Sequence, residues 1–114
     1  MSENSTRFLI IVLTLFTAFV HLVLLGLAPG HTDLLFIMNG LGYLALLGAL
    51  VFRFPAGQQA LVHYAFMAYA LATIIAWIAI APERDTLGYA TKTVEVLLIV
   101  FLWLNLKRVQ AGKA

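Results

Sequence analysis

The chain has 114 residues, of which 63% are hydrophobic and 11% charged, with a formal net charge of +2 and no cysteine. Ordinary soluble domains carry about a quarter charged residues and about half apolar ones, so a soluble domain and a disordered chain are both excluded and a membrane protein is indicated. One span needs about 20 apolar residues, so four or at most five crossings consume the chain and no room remains for a soluble catalytic module. The lack of cysteine also removes disulfides, iron–sulfur clusters, thiolate metal sites and dithiol chemistry.

After Arg7 no Lys, Arg, Asp or Glu occurs before Asp33, and residues 8–28 read as the first span. A signal peptide would have a shorter apolar core, about 7–15 residues, and a small-x-small cleavage site. This run instead ends in the turn signature Ala28-Pro29-Gly30. Thr32-Asp33 offers an N-cap, whose side-chain oxygen satisfies free helical N–H groups, and residues 34–52 form the second span. Arg53-Phe54-Pro55-Ala56-Gly57 breaks the chain, and residues 58–81 form the third. Pro82-Glu83-Arg84-Asp85 makes the next connection, Asp85 or Thr86 caps the fourth span over 86–106, and Lys107-Arg108 stops it at an interface.

Lys and Arg near span ends are retained on the cytoplasmic side. With both termini inside, that face holds Arg7, Arg53, Lys107, Arg108 and Lys113, against Arg84 and a snorkelling Lys92 outside. The localisation expected is therefore the cell membrane, multi-pass, with both termini cytoplasmic. Short connections make sequential spans antiparallel, so the fold class expected is all-α, an integral membrane antiparallel four-helix bundle. Small residues mark candidate packing seams: Ala65, Ala68, Ala72, Ala76 and Ala79 in span three, and Gly42, Ala45 and Ala49 in span two, with Gly40 and Gly48 beside them.

Polar residues that sit deep are more informative. At about 1.5 Å per residue, His21, Asn39, Thr73 and Lys92 all lie roughly 9–12 Å below the outer rim, and Glu95 lies one turn deeper, near Tyr43. Thr14, Thr17 and His21 share one stripe, Asn39 and Tyr43 another, and Gly88, Thr91, Lys92 and Glu95 a third. An ionised carboxylate near mid-span costs about 2.5–3.5 kcal/mol if it faces lipid, so Glu95 must be paired or protonated. Lys92 is placed to pair with it, and His21 to donate a ring N–H to it. Such a cluster locks helix order, binds a polar head, or relays protons.

The remaining signals fit plainer roles. His63, beside Gln58 and Gln59, reads as an interfacial histidine, and His31 as solvated in the outer turn. His21 and His63 differ by roughly 10–14 Å in depth, so one haem or chlorin could use either singly but not both. No helix carries a second His, Asp or Glu at metal-ligand spacing. Trp77 and Tyr89 fit an outer aromatic belt, and Phe54, Tyr64 and Trp103 an inner one. Nucleic-acid binding has no support.

The segments Ala18-Phe19-Val20-His21-Leu22-Val23-Leu24-Leu25-Gly26, Asn39-Gly40-Leu41-Gly42-Tyr43-Leu44 and Thr91-Lys92-Thr93-Val94-Glu95-Val96-Leu97-Leu98-Ile99 resemble the DoxX-like group of small four-helix membrane proteins. They resemble more closely an uncharacterised four-span family of haloarchaea and some bacteria. Where that family's last helix would carry Asp-Lys and then Gln, this chain has Thr91-Lys92 and Glu95. The DoxX-like resemblance implies membrane redox or sulfur metabolism, in partnership with other subunits. The expectation is a non-enzymatic accessory subunit or a small lipid- or quinone-binding module. His21, Asn39, Thr73, Lys92 and Glu95 would line its pocket, with His21 and Glu95 orienting a head group or quinone carbonyl. The alternatives are a proton-coupled transporter or membrane enzyme using a His–Glu pair, and a single-His haem or chlorin binder. The partners expected are the lipid bilayer, and other membrane subunits or further copies of the chain. The sequence leaves the cofactor unknown.

Overall fold

The computed structural model describes residues 2–27, 30, 32–80 and 85–111. The expected turns at Ala28-Pro29 and Pro82-Glu83-Arg84, the solvated His31, and the charges Arg84 and Lys113 lie outside the described residues.

Helix α1 (Glu3–Phe19) starts at Ser2, whose hydroxyl accepts the Ser5 N–H, and continues without a break into a π-helical segment, Val20–Gly26. The widened register begins beside His21, and segments of this kind are frequent at functional sites. Helix α2 (Leu34–Val51) is capped by Asp33, whose carboxylate accepts the N–H groups of Leu35 and Phe36. Helix α3 (Gln59–Ile80) follows a short 3-10 turn at Ala56–Gln58. Of the two caps offered for the last span the chain uses Asp85, which accepts the Gly88 N–H at 2.8 Å. Helix α4 (Thr86–Gln110) runs one turn past the expected end at Leu106, because Lys107 and Arg108 complement the negative end of the helix dipole.

Four helices among the described residues are thus long and apolar enough to cross a membrane. They form a rod of 47 × 22 × 22 Å. Helix α1 packs against α2 and α4, and α3 packs against α4 and less extensively against α2. Side-chain bonds fix the directions: Arg108 reaches Thr6, Thr17 reaches Glu95, Asn39 reaches Thr73, and Asn105 reaches His63. Neighbours are therefore antiparallel, with α2 and α4 facing one another across the bundle. One end holds residues near both termini and the 52–58 turn; we call it the termini end, and the opposite one the far end.

The middle of the rod is apolar. Ile10, Phe66, Ala70, Leu98 and Leu102 are fully buried there, with Leu47 beside them. Helix α3 places Val62, His63, Phe66 and Ala70 inward and leaves the whole alanine stripe Ala65, Ala68, Ala72, Ala76 and Ala79 exposed. The expected seam is therefore not used within the chain, because the larger side chains on the opposite face fill the bundle better than methyl groups. In α2 close approach does occur at Gly40, where a Cβ would lie 2.9 Å from Leu22 Cβ, and at Gly42, where it would run into the Tyr69 hydroxyl. Ala45 is exposed, and only Ala49 of that pair packs on the core.

The α2–α3 turn shows how the chain ends a helix without glycine. The N–H of Arg53 reaches the Leu50 carbonyl, and that of Phe54 reaches the Ala49 carbonyl at 2.9 Å, a Schellman closure. Arg53 occupies its left-handed position with φ of 54°, where glycine is the usual residue.

Candidate functional site

Glu95 sits at the centre of the far half, on the inward face of α4, and is fully buried. Three donors converge on it from three helices. Lys92, one turn earlier on α4, donates to Oε1 at 2.7 Å. Tyr43 of α2 reaches across the bundle and donates to Oε2 at 2.7 Å, and Thr17 of α1 donates to the same oxygen at 2.9 Å. An ionised carboxylate offers only acceptors, so three donors match it. The snorkelling expected of Lys92 does not occur: its carbon stem bends inward, because a carboxylate within one turn is a nearer partner than the rim.

His21 is 4% exposed and does not touch Glu95. Its Nδ1 lies 2.8 Å from the Thr17 carbonyl oxygen and 3.2 Å from Thr17 Oγ1. The expected His21–Glu95 contact is thus replaced by a chain, His21 to Thr17 to Glu95. The shorter Thr17 side chain, one turn back on the same stripe, fills the space facing the carboxylate. The imidazole turns to its own helix instead, between Phe36 and Tyr43 at centroid distances of 6.1 and 6.0 Å. Its Nε2 makes no hydrogen bond among the described residues.

Asn39 and Thr73 form a satellite between α2 and α3. Asn39 donates to Thr73 Oγ1 at 3.1 Å, Thr73 donates to the Tyr69 carbonyl, and the Tyr69 hydroxyl donates to the Asn39 carbonyl at 2.7 Å. Tyr69 meets Tyr43 edge-on at 4.8 Å, which is the link to the Glu95 group. Asn39 Oδ1 is buried and has no partner. The five residues expected to gather therefore divide into Lys92 with Glu95, His21 attached through Thr17, and Asn39 with Thr73 attached through the two tyrosines. Thr17, Tyr43 and Tyr69 were absent from the expected site. Spacing places the first two on the inward stripes of His21 and Asn39, four residues away in each case, but does not show that they bond to Glu95.

A second polar group lies near the termini end. His63 is fully buried, not interfacial as expected. Its Nδ1 lies 2.6 Å from the Gln59 carbonyl, and Nε2 lies 2.7 Å from Asn105 Nδ2. The surrounding bundle buries the ring because Asn105, on α4, supplies the partner that water would otherwise be. Both nitrogens of His63 are engaged, so a single-His ligation of haem or chlorin rests on His21 alone among the described residues. Asn105 Oδ1 is a further buried oxygen without a partner. Close by, Arg7 donates to the Leu50 carbonyl at 2.9 Å and Arg108 to Thr6 Oγ1 at 3.2 Å.

Among the described residues no group of three or more His, Asp or Glu is arranged to hold a metal. An open hollow of about 510 Å³, lined by Ala45, Gly48, Ala49, Phe52 and Phe54, lies at the termini end, away from Glu95. Trp77 and Tyr89 pack edge-on at 5.2 Å at the far end, and Lys107 lies 5.6 Å over Trp103 at the other.

Residues 1–104 match the family described as "Family of unknown function (DUF7475)". The chain belongs to that family. No curated protein and no solved structure matches it. The match spans all four helices up to Leu104, so it includes every member of the Glu95 group and His63 and stops one residue before Asn105.

Proposed function

We propose that the chain is an integral protein of the cell membrane, crossing it four times with both termini in the cytoplasm. It acts without enzymatic activity of its own, as an accessory subunit or a small lipid- or quinone-binding module of a larger membrane assembly. The observation that carries the binding role is His21: a nearly buried ring held by Thr17, flanked by two aromatic walls, with one nitrogen unused by the protein. The Lys92–Glu95 pair, closed by Tyr43 and Thr17, serves as the fixed base on which that ring is mounted. The orientation is supported by Arg7, Arg53, Lys107 and Arg108 gathering at the termini end. The DoxX-like resemblance supports partnership with other subunits.

The second reading is proton relay, and the hydrogen-bonded chain from His21 through Thr17 to Glu95 favours it. Against it, ten residues of α4 separate Glu95 from Asn105, about 15 Å of helix, and the layer between is lined by Leu98, Leu102 and Phe66.

Purification of the intact protein from its native membrane in mild detergent, followed by an absorbance spectrum and mass spectrometry of everything retained, tests the proposal. A bound amphiphile or stoichiometric membrane subunits are expected, with the amphiphile lost on His21→Phe. A bare, partner-free protein in both forms would refute the binding and accessory roles.

A further inference from the structure

In the far half, two acceptors, His21 Nε2 and Asn39 Oδ1, meet no donor among the described residues. His21 Nδ1 lies 2.8 Å from the Thr17 carbonyl oxygen, which has no hydrogen to give, so the ring proton sits on Nδ1. The second neighbour of Nδ1, Thr17 Oγ1 at 3.2 Å, has committed its own hydrogen to Glu95 Oε2, so it too receives from Nδ1. In a neutral imidazole Nε2 is then a bare lone pair. Asn39 Oδ1, on α2 between the turns that bear Phe36 and Tyr43, is likewise an unpartnered acceptor. Such an oxygen, buried and unpaired, costs about 1–3 kcal/mol, whereas Nε2 belongs to a ring that is 4% exposed and keeps a narrow opening through which a donor can reach it.

We propose that the group received at His21 is a neutral hydrogen-bond donor, the hydroxyl of an amphiphile's head, bound by Nε2 between Phe36 and Tyr43. This rests on the binding role proposed above and reverses the polarity expected from the sequence, since a quinone carbonyl offers His21 only a second lone pair. Neutrality follows from the Lys92–Glu95 pair: the cation and anion beside the ring compensate one another at 2.7 Å, leaving no net charge to attract an ammonium or a phosphate. The direction of approach follows from the walls. Tyr43 is fully buried and closes the inner side, whereas Phe36 is exposed on the surface of the bundle, so the head enters past Phe36 with its tail in the surrounding lipid. Two sources share this chemistry, a glyceride hydroxyl and the hydroxyl of a hydroquinone.

The test uses the full chain in detergent and two matched probe pairs. One is a monoacylglycerol and its di-O-methyl ether; the other is a short-tailed hydroquinone and the corresponding quinone. Binding by calorimetry or native mass spectrometry is expected to favour the hydroxyl form of at least one pair by about tenfold or more, the scale of one buried hydrogen bond. The preferred pair identifies the source, and the preference disappears in His21→Phe. Nitrogen NMR of His21 in the unmodified protein provides a readout independent of any variant's folding: Nε2 is expected unprotonated, and its resonance is expected to move when the preferred hydroxyl probe is added. Equal binding within both pairs, preference for the quinone or the ether, a proton found on Nε2, or haem retained at His21 would each overturn the donor assignment while leaving the binding role standing. Failure of all four probes, with nothing retained from the native membrane, would remove both.

Discussion

The two buried polar groups of this bundle are built on the same local device and differ in how they are finished. Each has a histidine whose Nδ1 is held by the carbonyl four residues earlier, Thr17 for His21 and Gln59 for His63. At the far end the neighbouring carboxylate is saturated by Lys92, Tyr43 and Thr17, and the histidine keeps a free nitrogen. Near the termini end the histidine itself is saturated, by Asn105, and the free atom is the amide oxygen of its partner. A charged group at the centre demands complete satisfaction, while a neutral amide tolerates one orphan. The far group is therefore rigid and expensive to alter, and the other is a register lock that apolar residues could replace.

The largest expected effect breaks the far group. Lys92→Met leaves Glu95 buried without its countercharge and should cost about 3–5 kcal/mol, read as loss of monodisperse protein or a large drop in thermal unfolding temperature in detergent. Adding Glu95→Gln should recover most of that loss; a double variant no more stable than Lys92→Met alone would show that Lys92 matters through its packing.

A middle-sized effect sharpens the contrast. Asn105→Leu alone strands His63 Nε2 and should cost about 1–3 kcal/mol, whereas the double variant His63→Leu with Asn105→Leu should lie within about 1 kcal/mol of the parent, because both partners go together. Equal losses in the single and double variants would contradict the role of a replaceable lock. The smallest effect lies outside both groups, in the turn at Arg53. Arg53→Gly relieves a left-handed backbone that costs about 1–2 kcal/mol but gives up the exposed 3.4 Å pair with Glu3, so a slight rise in unfolding temperature is expected.

Helix number, the Asp33 and Asp85 caps, and the inward phase of Thr17, His21, Lys92 and Glu95 could all be read from apolar run length and periodicity. Counting depth from the rim also brought Asn39 level with Thr73 and Glu95 level with Tyr43, which are bonded partners. What could not be read was choice among partners. Periodicity shows that His21 faces the interior, but not that its own helix would capture Nδ1 and leave Glu95 to Thr17. The alanine stripe of α3 misled for a related reason: small residues permit close packing of some surface, and only the volumes on the opposite face decide whether that surface is inside this chain. The pairing of His63 with Asn105 joins two helices, and no spacing within either helix marks Asn105 as the partner of that ring.

The π-helical stretch from Val20 to Gly26 has a consequence for how this end of the protein tolerates change in length. A wide turn holds a residue more than an ordinary one, so removing one residue from Val23 or Leu24 lets the stretch tighten into an α-helix while Thr17 and His21, which precede the cut, keep their places. The far end of the first span thus carries slack, stored as backbone geometry, that a related chain could spend as a single-residue deletion without dismantling the carboxylate beneath it.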